Sequence, residues 1–348
     1  MKKLIFALTL VVTTSLHLSP VWAGKKLLLK TPSAYKSTLP GLGSPVARLA
    51  KQLKLMSGGT LRMKFYEPGK LVEPFEILDT VSAGKVNSGY ATAGYWAGKM
   101  PAASLFSSVP FGPETGEYLA WMYYGNGLKL YQEMYDKYGF NVKVIPCAII
   151  APETSGWFKK EINTPADLKG LKMRFFGLGG RVMQKLGVAT SLTPGKDIFP
   201  SLEKGAIEAT EYSMPAIDKQ LGFHKLAKYN YFPGWHQQST ILEFLVNKKV
   251  WKGMSDQHKA ILENACKASM TDSFAEGEAI QHKVMKENTE KNGVIIKRWS
   301  PEMLAAFKKA WQEVIKEEED EFFHKVYNDM QTFREGYKLW KDNAFLPR

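Results

Sequence analysis

The chain has 348 residues, 45% of them hydrophobic and 23% charged, so it is long enough to bury a core in about two domains. Its formal net charge of +13 comes from 47 Lys and Arg against 34 Asp and Glu. Because the basic residues are scattered, with no basic helix and no aromatic ribonucleoprotein motif, the composition argues against nucleic acid and favours small anionic partners.

The first 23 residues have the pattern of a secretory signal peptide. Two lysines precede an apolar run over residues 4–12, and Val21 and Ala23 stand at the −3 and −1 positions of a cleavage site. The apolar run is too short to span a bilayer, which argues against a membrane anchor. We therefore predict that residues 1–23 are a signal peptide that is removed from an exported protein.

Alternating strands and helices follow in the mature chain. Strands are predicted over residues 25–32, 60–69 and 87–96, and helices over residues 43–59 and 74–86. Ser44 and Pro45 are typical of a helix start, and Gly58 is typical of a helix stop. This order of elements predicts a parallel sheet with crossover helices.

A second unit of this kind follows an apolar strand over residues 144–150. Strands are predicted over residues 171–180, ending in a glycine-rich turn, and over 188–194 and 206–212, with helices over 181–187 and 196–205. From residue 231 onward the pattern is mostly helical, with long helices over residues 255–287 and 301–336. The sequence thus predicts an α/β fold with two lobes, an arrangement that encloses a ligand by hinge closure.

The lobes are assigned from this alternation. Residues 24–150 form lobe 1, which residues 237–300 complete, residues 151–236 form lobe 2, and residues 301–348 form a long C-terminal helix and tail. The interlobe hinge is predicted near residues 146–157 and 231–242. At about 1.5 Å per residue the last helix would be roughly 50 Å long, so we expect it to leave the body of its own subunit.

Cys147 and Cys266 are the two cysteines of the chain, and they stand in apolar settings without a CxxC spacing. They predict neither a redox motif nor a zinc site. A disulfide between them remains open, but we expect buried free thiols.

The sequence offers no catalytic constellation. Its 6 His form no HExxH cluster, and neither a GxSxG elbow nor a P-loop occurs. The segment GLGGRV is only a partial dinucleotide motif, and no nucleophile with an adjacent base can be identified. We therefore expect a binding protein and not an enzyme.

The chain resembles a known family over nearly its whole mature length. The resemblance is carried by ETSGWFKKEINTPADLKGLKMRFFGLGG, EATEYSMP, DKQLGFHKLAKYNYFPGWH and VNKKVW. These segments are similar to the DctP-type solute-binding subunits of tripartite ATP-independent periplasmic (TRAP) transporters, closest to the group that binds 2-oxoacids and hydroxyacids. The resemblance implies a periplasmic receptor that binds a small organic acid and delivers it to TRAP membrane permease subunits. A metal-free receptor for another polar or amine-bearing carboxylate remains the alternative.

Arg174 matches the family arginine that binds the ligand's carboxylate. Its planar guanidinium group can donate two parallel charge-assisted hydrogen bonds to a carboxylate. The resemblance therefore implies that Arg174 is a ligand-binding residue. An arginine exposed to water at the end of a strand is the alternative.

The resemblance also implies a cation site. Relatives that bind 2-oxoacids hold a cation at positions that match Glu153, Glu211, the carbonyl group of Tyr212, and Gln237. In those relatives the first position is Gln and the last is Glu, whereas this chain has Glu153 and Gln237. Two carboxylates remain, so the oxygen ligands still suit Ca²⁺ or Na⁺. Two alternatives stay open: the glutamates face a cationic or hydroxyl-bearing ligand without a metal, or Glu153 only caps a turn.

Aromatic residues at predicted strand ends and turns are candidates for the rest of the ligand site. They are Tyr95, Trp96, Phe111, Trp157, Phe175 and Tyr212. Aromatic walls with few polar groups are typical of small-molecule sites. We assign Tyr95, Trp96, Phe175 and Tyr212 to the ligand site, together with Arg174 and Glu153, although core packing is an alternative for each aromatic ring.

The apolar stripe of the last helix extends further than the surface of one subunit should cover, so it must be buried elsewhere. Some relatives exchange such a helix between two subunits, and the resemblance therefore implies a helix-swapped homodimer. A curved helix packed on its own domain is the alternative.

Overall fold

The structure is a computed structural model, and it describes residues 26–346. The predicted signal peptide over residues 1–23 lies outside the described residues. Within the described part of the chain, no helix is both long enough and apolar enough to cross a membrane.

Strands and helices alternate through most of the chain. The strands are β1 (Leu27–Pro32), β2 (Leu61–Tyr66), β3 (Ser88–Ala91), β4 (Val142–Ile150), β5 (Gly156–Phe158), β6 (Lys172–Arg174), β7 (Ala189–Ser191), β8 (Ala209–Thr210), β9 (Tyr229–Phe232), β10 (Thr240–Asn247) and β11 (Ile295–Arg298). The helices are α1 (Ser44–Met56), α2 (Ile77–Ser82), α3 (Thr115–Tyr124), α4 (Gly127–Lys137), α5 (Gly177–Lys185), α6 (Gly195–Glu203), α7 (Pro215–Gln220), α8 (Lys248–Gly253), α9 (Asp256–Lys291), α10 (Pro301–Glu317) and α11 (Glu321–Ala344).

The strands are divided between two lobes. In lobe 1, β10 lies between β3 and β4 and is antiparallel to both. The parallel strands β1 and β2 join β3 through a bridge between Ser33 and Tyr90. In lobe 2, six strands follow the order β11-β9-β5-β8-β6-β7. The predicted two-lobed α/β fold is confirmed, but the sheet of lobe 1 is parallel only in part.

Two strands correct the sequence analysis. The region after residue 231, predicted to be mostly helical, contains β10, whose eight residues are all buried. Periodicity cannot distinguish such a short apolar run from a buried helix. The second is β11, which lies in the range 237–300 predicted to complete lobe 1 but pairs with β9 of lobe 2. Its side chains are mostly exposed, so no apolar alternation indicated it.

Cys147 and Cys266 form a disulfide between β4 and α9, with their Cα atoms 4.2 Å apart. The expectation of buried free thiols is therefore wrong. The two cysteines are 119 residues apart in sequence, and only the packing of α9 against β4 brings them together. No local spacing could indicate this pairing.

The predicted C-terminal helix is interrupted. The helix α10 ends at Glu317 and α11 begins at Glu321, because the Asp320 side chain accepts a hydrogen bond from the amide of Phe323 (2.6 Å) and caps a new helix. The acidic residues Glu318, Glu319 and Asp320 thus link two helices. This link lets the chain change direction between the lobes.

The two terminal helices pack on different lobes of their own chain. In α10, Phe307 stacks on Trp235 with ring centroids 4.5 Å apart. In α11, Asp329 accepts a hydrogen bond from the indole of Trp121 in α3 (2.8 Å). The apolar residues of the first half of α11 are buried: Phe322, Phe323, Val326 and Met330. The expectation that the helix leaves the body of its own subunit is therefore wrong for this half.

Replacing Val326 with Asp should destabilise the protein by roughly 3 kcal/mol, because it places a charge without a partner in a fully buried position (0% exposed). Urea denaturation measures the change. The control is Leu339→Asp on the same helix, where the side chain is 75% exposed and the effect should stay within about 0.5 kcal/mol. Equal effects of the two substitutions would contradict the packing of α11.

Candidate ligand and metal site

The ends of β6 and β8 bring Arg174 and Glu211 together. Arg174 is the last residue of β6 and pairs in parallel with Thr210, so both strands end at the same edge of the sheet. Arg174 Nη1 donates to the Oε1 atom of Glu211 (2.8 Å) and to its main-chain oxygen (2.7 Å). The two side chains are 1% and 0% exposed. The alternative of an arginine exposed to water therefore does not hold.

Phe176, and not Phe175, shares the face of Arg174. Phe176 lies with Arg174 in the lining of a small interlobe cavity. The ring of Phe175 packs instead against His236 (4.9 Å between centroids) and Trp235 (6.1 Å). The side-chain alternation of extended backbone explains why neighbouring phenylalanines face opposite ways. The structure thus does not bring the predicted Phe175 to this cavity.

The helix α5 begins at Gly177, inside the glycine-rich segment that was predicted to be a turn. A Cβ atom at Gly179 would lie 2.5 Å from the ring of Phe175 and 2.9 Å from the Cβ of His236. Only glycine therefore fits between the Phe175 ring and the His236 side chain. The first turn of α5 consequently lies close behind the site.

Glu153 and Gln237 lie on the two segments that connect β4 to β5 and β9 to β10. The amide of Glu153 donates to the carbonyl oxygen of Gln237 (3.2 Å), so the two connections run side by side. A Cβ atom at Gly234 would come within 2.2 Å of the Glu153 carbonyl oxygen, and glycine is needed for this close approach. Glu153 thus occupies the crossing between the lobes, as predicted for a hinge residue.

Three side chains with metal-binding atoms converge at this crossing. Glu153, Glu211 and His236 each offer an atom within 4.8 Å of the others'. The Nε2 atom of His236 lies 3.4 Å from Glu211 Oε2 and 4.0 Å from Glu153 Oε2. His236 was not among the predicted residues, although it directly precedes Gln237. A lone histidine in a sequence is as compatible with core packing as with a site, so the residue type alone did not indicate it.

Several buried atoms at the crossing lack hydrogen-bond partners among the described residues. They are Oε2 of Glu153, Oε2 of Glu211, Oε1 of Gln237 and both ring nitrogens of His236. The other amide atom of Gln237 donates to Thr240 Oγ1 (2.7 Å), which fixes the orientation of the side chain. Buried polar atoms are normally paired, and convergent oxygens are the ligands that Ca²⁺ and Na⁺ prefer. The residues present therefore fit a hard cation.

The two glutamates are in different electrostatic states. Burial raises the pKa of Glu153 well above its ordinary value, and the charge of Glu211 raises it further. Burial also acts to raise the pKa of Glu211, but the charge of Arg174, with His236 and the amide of Phe176, outweighs burial and holds that pKa below its ordinary value. Glu211 is thus ionised, whereas Glu153 needs either a proton or a nearby cation.

A cavity of about 20 Å³ lies beside these groups, between the lobes. Lobe 1 contributes Tyr35, Thr92 and Tyr95 to its lining, and lobe 2 contributes Arg174, Phe176 and Tyr212. The guanidinium carbon of Arg174 lies 5.1 Å from the ring centre of Tyr212, and Phe176 contacts Tyr95 edge-on at 5.5 Å. The predicted residues Tyr95 and Tyr212 thus line the cavity. Tyr35 and Phe176 line it as well, but the sequence analysis did not predict them.

The remaining aromatic candidates face elsewhere. The indole of Trp96 donates to Glu243 Oε1 (2.7 Å) in lobe 1, and that of Trp157 donates to Asp218 Oδ2 (2.7 Å) in lobe 2. A buried indole N–H needs an acceptor, and these carboxylates hold both rings within their own lobes. Phe111 stacks on Trp235 at 5.8 Å. The structure does not bring these three rings to the cavity.

Comparison with known proteins identifies a family. The model of the DctP family, described as bacterial extracellular solute-binding protein, family 7, matches residues 37–321. A monocarboxylate 2-oxoacid-binding periplasmic protein from Nostoc sp. is 34% identical over 294 residues, which cover 84% of this chain and 80% of that protein.

Solved structures agree with this assignment. A TRAP transporter solute-binding protein from Bordetella bronchiseptica has 30% identity and a TM-score of 0.89, over 92% of this chain and 95% of that one; it is a mixed-occupancy dimer with calcium and picolinate in one site. A TRAP periplasmic solute-binding protein from Pseudoalteromonas atlantica, with sodium and pyruvate bound, has 32% identity and a TM-score of 0.87, over 92% and 97%. The chain belongs to the DctP family of bacterial extracellular solute-binding proteins, family 7.

Proposed function

We propose that the chain is the periplasmic receptor of a TRAP transporter and that it binds a small monocarboxylate with an oxygen on the adjacent carbon, a 2-oxoacid or a 2-hydroxyacid. One observation carries this proposal: buried Arg174 lines one small cavity with Glu153 and Gln237 and pairs with Glu211, and each of these three residues has a side-chain oxygen without a partner among the described residues. The carboxylate of such a ligand would bind Arg174, and its neighbouring oxygen would bind a cation held by the oxygens of the other three residues.

Arg174 retains hydrogen-bonding capacity for a ligand. Its Nη1 atom donates to two atoms of Glu211, and its Nε atom donates to the carbonyl oxygen of Thr193 (3.3 Å). The Nη2 hydrogens are then the ones that would bind a carboxylate. Arg174 is the only cationic side chain among the described residues that line the cavity. This supports a ligand with one carboxylate over a dicarboxylate.

The same site supports a bound cation, with Ca²⁺ favoured over Na⁺. Glu153, Glu211, Gln237 and the carbonyl group of Tyr212 would hold it, and when bound it would supply positive charge to the second oxygen of the ligand. With a divalent cation, the charges of Arg174, the two glutamates and a monocarboxylate cancel. Neutrality matters because an uncompensated buried charge is strongly unfavourable.

The partners follow from family membership. We propose that the chain is exported, works as a receptor and not as an enzyme, and delivers its ligand to TRAP membrane permease subunits. The lobe boundaries at residues 150 and 236 stay predictions. The homodimer also stays a prediction, supported by the dimer of the Bordetella bronchiseptica relative.

Replacing Arg174 with Lys should weaken pyruvate binding by about 1.5 to 3 kcal/mol, because lysine keeps the charge but loses the planar set of donors. Calorimetry measures the affinity, and circular dichroism checks the fold. Arg181→Lys is the matched control, since Arg181 pairs with Glu318 outside the cavity and should leave the affinity unchanged. Unchanged affinity in the Arg174 variant would remove this residue from the site.

The exchange of acid and amide can be tested by reversing it. Glu153→Gln should lower Ca²⁺ affinity about tenfold or more, because one charged oxygen ligand is lost. Adding Gln237→Glu restores the number of carboxylates and should recover most of the affinity. Both variants are compared with the unmodified protein by calorimetric titration of Ca²⁺. A Glu153→Gln protein that binds Ca²⁺ as tightly as the unmodified protein would exclude Glu153 as a ligand of the cation.

Ligand binding should also change the shape of the protein. Residues of both lobes line the cavity, so a ligand must enter while the lobes are apart and be enclosed when they close. Small-angle X-ray scattering should therefore give a smaller radius of gyration with saturating pyruvate and Ca²⁺ than without them. Superimposable scattering profiles would argue against closure.

A further inference from the structure

A second cavity adjoins the ligand cavity. It also measures about 20 Å³, and we call it the outer cavity. Its lining is mostly apolar, with Leu39, Pro74 and Leu221 among the residues, but Lys36 and Lys196 also belong to it. Tyr35 and Tyr212 line both cavities. These two rings therefore form a wall between them.

The wall is held firmly from both lobes. In lobe 1, the amide of Tyr35 donates a hydrogen bond to the hydroxyl oxygen of Ser33 (3.1 Å). The ring of Tyr35 packs on the rings of Tyr90 and Tyr95, with centroids 6.2 and 6.1 Å apart. In lobe 2, Tyr212 lies so close to the start of α6 that a Cβ atom at Gly195 would be 2.5 Å from its hydroxyl. These contacts oppose displacement of either ring by a ligand.

The ligand cavity itself is small. One water needs about 10–15 Å³, so a cavity of about 20 Å³ favours the smallest acids. If the carboxylate lies at Arg174 and the second oxygen at the cation site, Tyr35 and Leu42 are among the lining residues left to contact the rest of the ligand. A longer carbon chain would meet the wall.

We propose that Tyr35 and Tyr212 determine the chain length of the acid that the receptor accepts, and that the outer cavity is an apolar subsite which they close off. This inference rests on the proposed function, because it takes the carboxylate to lie at Arg174. The unmodified receptor selects the shortest acids. Opening the wall joins the two cavities and admits longer unbranched acids.

The test is a calorimetric series of unbranched 2-oxoacids with three to six carbons, measured in the presence of Ca²⁺. In the unmodified protein the affinity should fall with each added carbon. In Tyr35→Ala the preference for the three-carbon over the six-carbon acid should shrink at least about tenfold, since each methylene gains about threefold or more from burial. Tyr212→Leu opens the wall from the other lobe while keeping the main-chain carbonyl, and should act in the same direction.

Two controls separate the wall from other effects. Tyr35→Phe keeps the ring and should keep the chain-length ranking. Leu49→Ala removes volume from the lobe 1 core, lines neither cavity and should also keep it. The proposal is overturned if folded Tyr35→Ala and Tyr212→Leu proteins retain the ranking of the unmodified protein, or if that protein binds the six-carbon acid as tightly as the three-carbon one.

A parallel series of unsubstituted carboxylates distinguishes failure of the wall from failure of the proposed function. If these acids bind and 2-oxoacids do not, the proposed ligand class is wrong. The role of the wall is then decided by whether Tyr35→Ala changes the order of affinities among unsubstituted acids of different length. If the unmodified protein binds neither series, both proposals are overturned.

Discussion

The buried ion pair between Arg174 and Glu211 is the interaction on which the site depends. Arg174 engages one carboxylate oxygen of Glu211, and the amide of Phe176 donates to the same oxygen, so the other carboxylate oxygen is left facing Glu153 and His236. The pair thus fixes the arginine for a ligand and a carboxylate oxygen for a cation in one arrangement. Because both charges are buried, removing either partner would leave the other uncompensated, which is strongly destabilising.

The chain's path between the lobes completes this arrangement. Glu153 and Gln237 lie on adjacent connections between the lobes, and α9 contacts α1 and β4 in lobe 1 as well as α7 in lobe 2. A ligand and cation bound at this crossing would contact groups from both lobes only when the lobes are closed. Their binding energy would therefore favour the closed state over the open one.

Local patterns in the sequence were enough to predict part of this structure. The alternation of strands and helices predicted the two-lobed fold, and the resemblance implied that Arg174, Glu211 and Tyr212 belong to one site. Whether Phe175 or Phe176 faces the cavity depends on the direction of the chain after β6, which cannot be predicted from the residue types. The same holds for Trp96 and Trp157, whose orientation is set by the buried acceptors Glu243 and Asp218.

Other features depended on contacts between distant parts of the chain. The disulfide forms because α9 packs on β4, and Tyr35 shares a cavity with Arg174 and Tyr212 because the two lobes lie against each other there. The end of α10 depends on the Asp320 cap and on the ion pair between Glu318 and Arg181 of α5. In the sequence, these acidic residues are equally compatible with the exposed side of a continuous helix.

The most direct measurement is the affinity for pyruvate as a function of free Ca²⁺, determined calorimetrically in sodium-free buffer. If the cation and the carboxylate share one site, pyruvate affinity rises with Ca²⁺ concentration until the cation site is filled. Ca²⁺ affinity then rises by the same factor when pyruvate is present, because the coupling between two ligands is reciprocal. Pyruvate binding of equal affinity in chelator, in saturating Ca²⁺ and in Na⁺ would contradict a cation at Glu153 and Glu211.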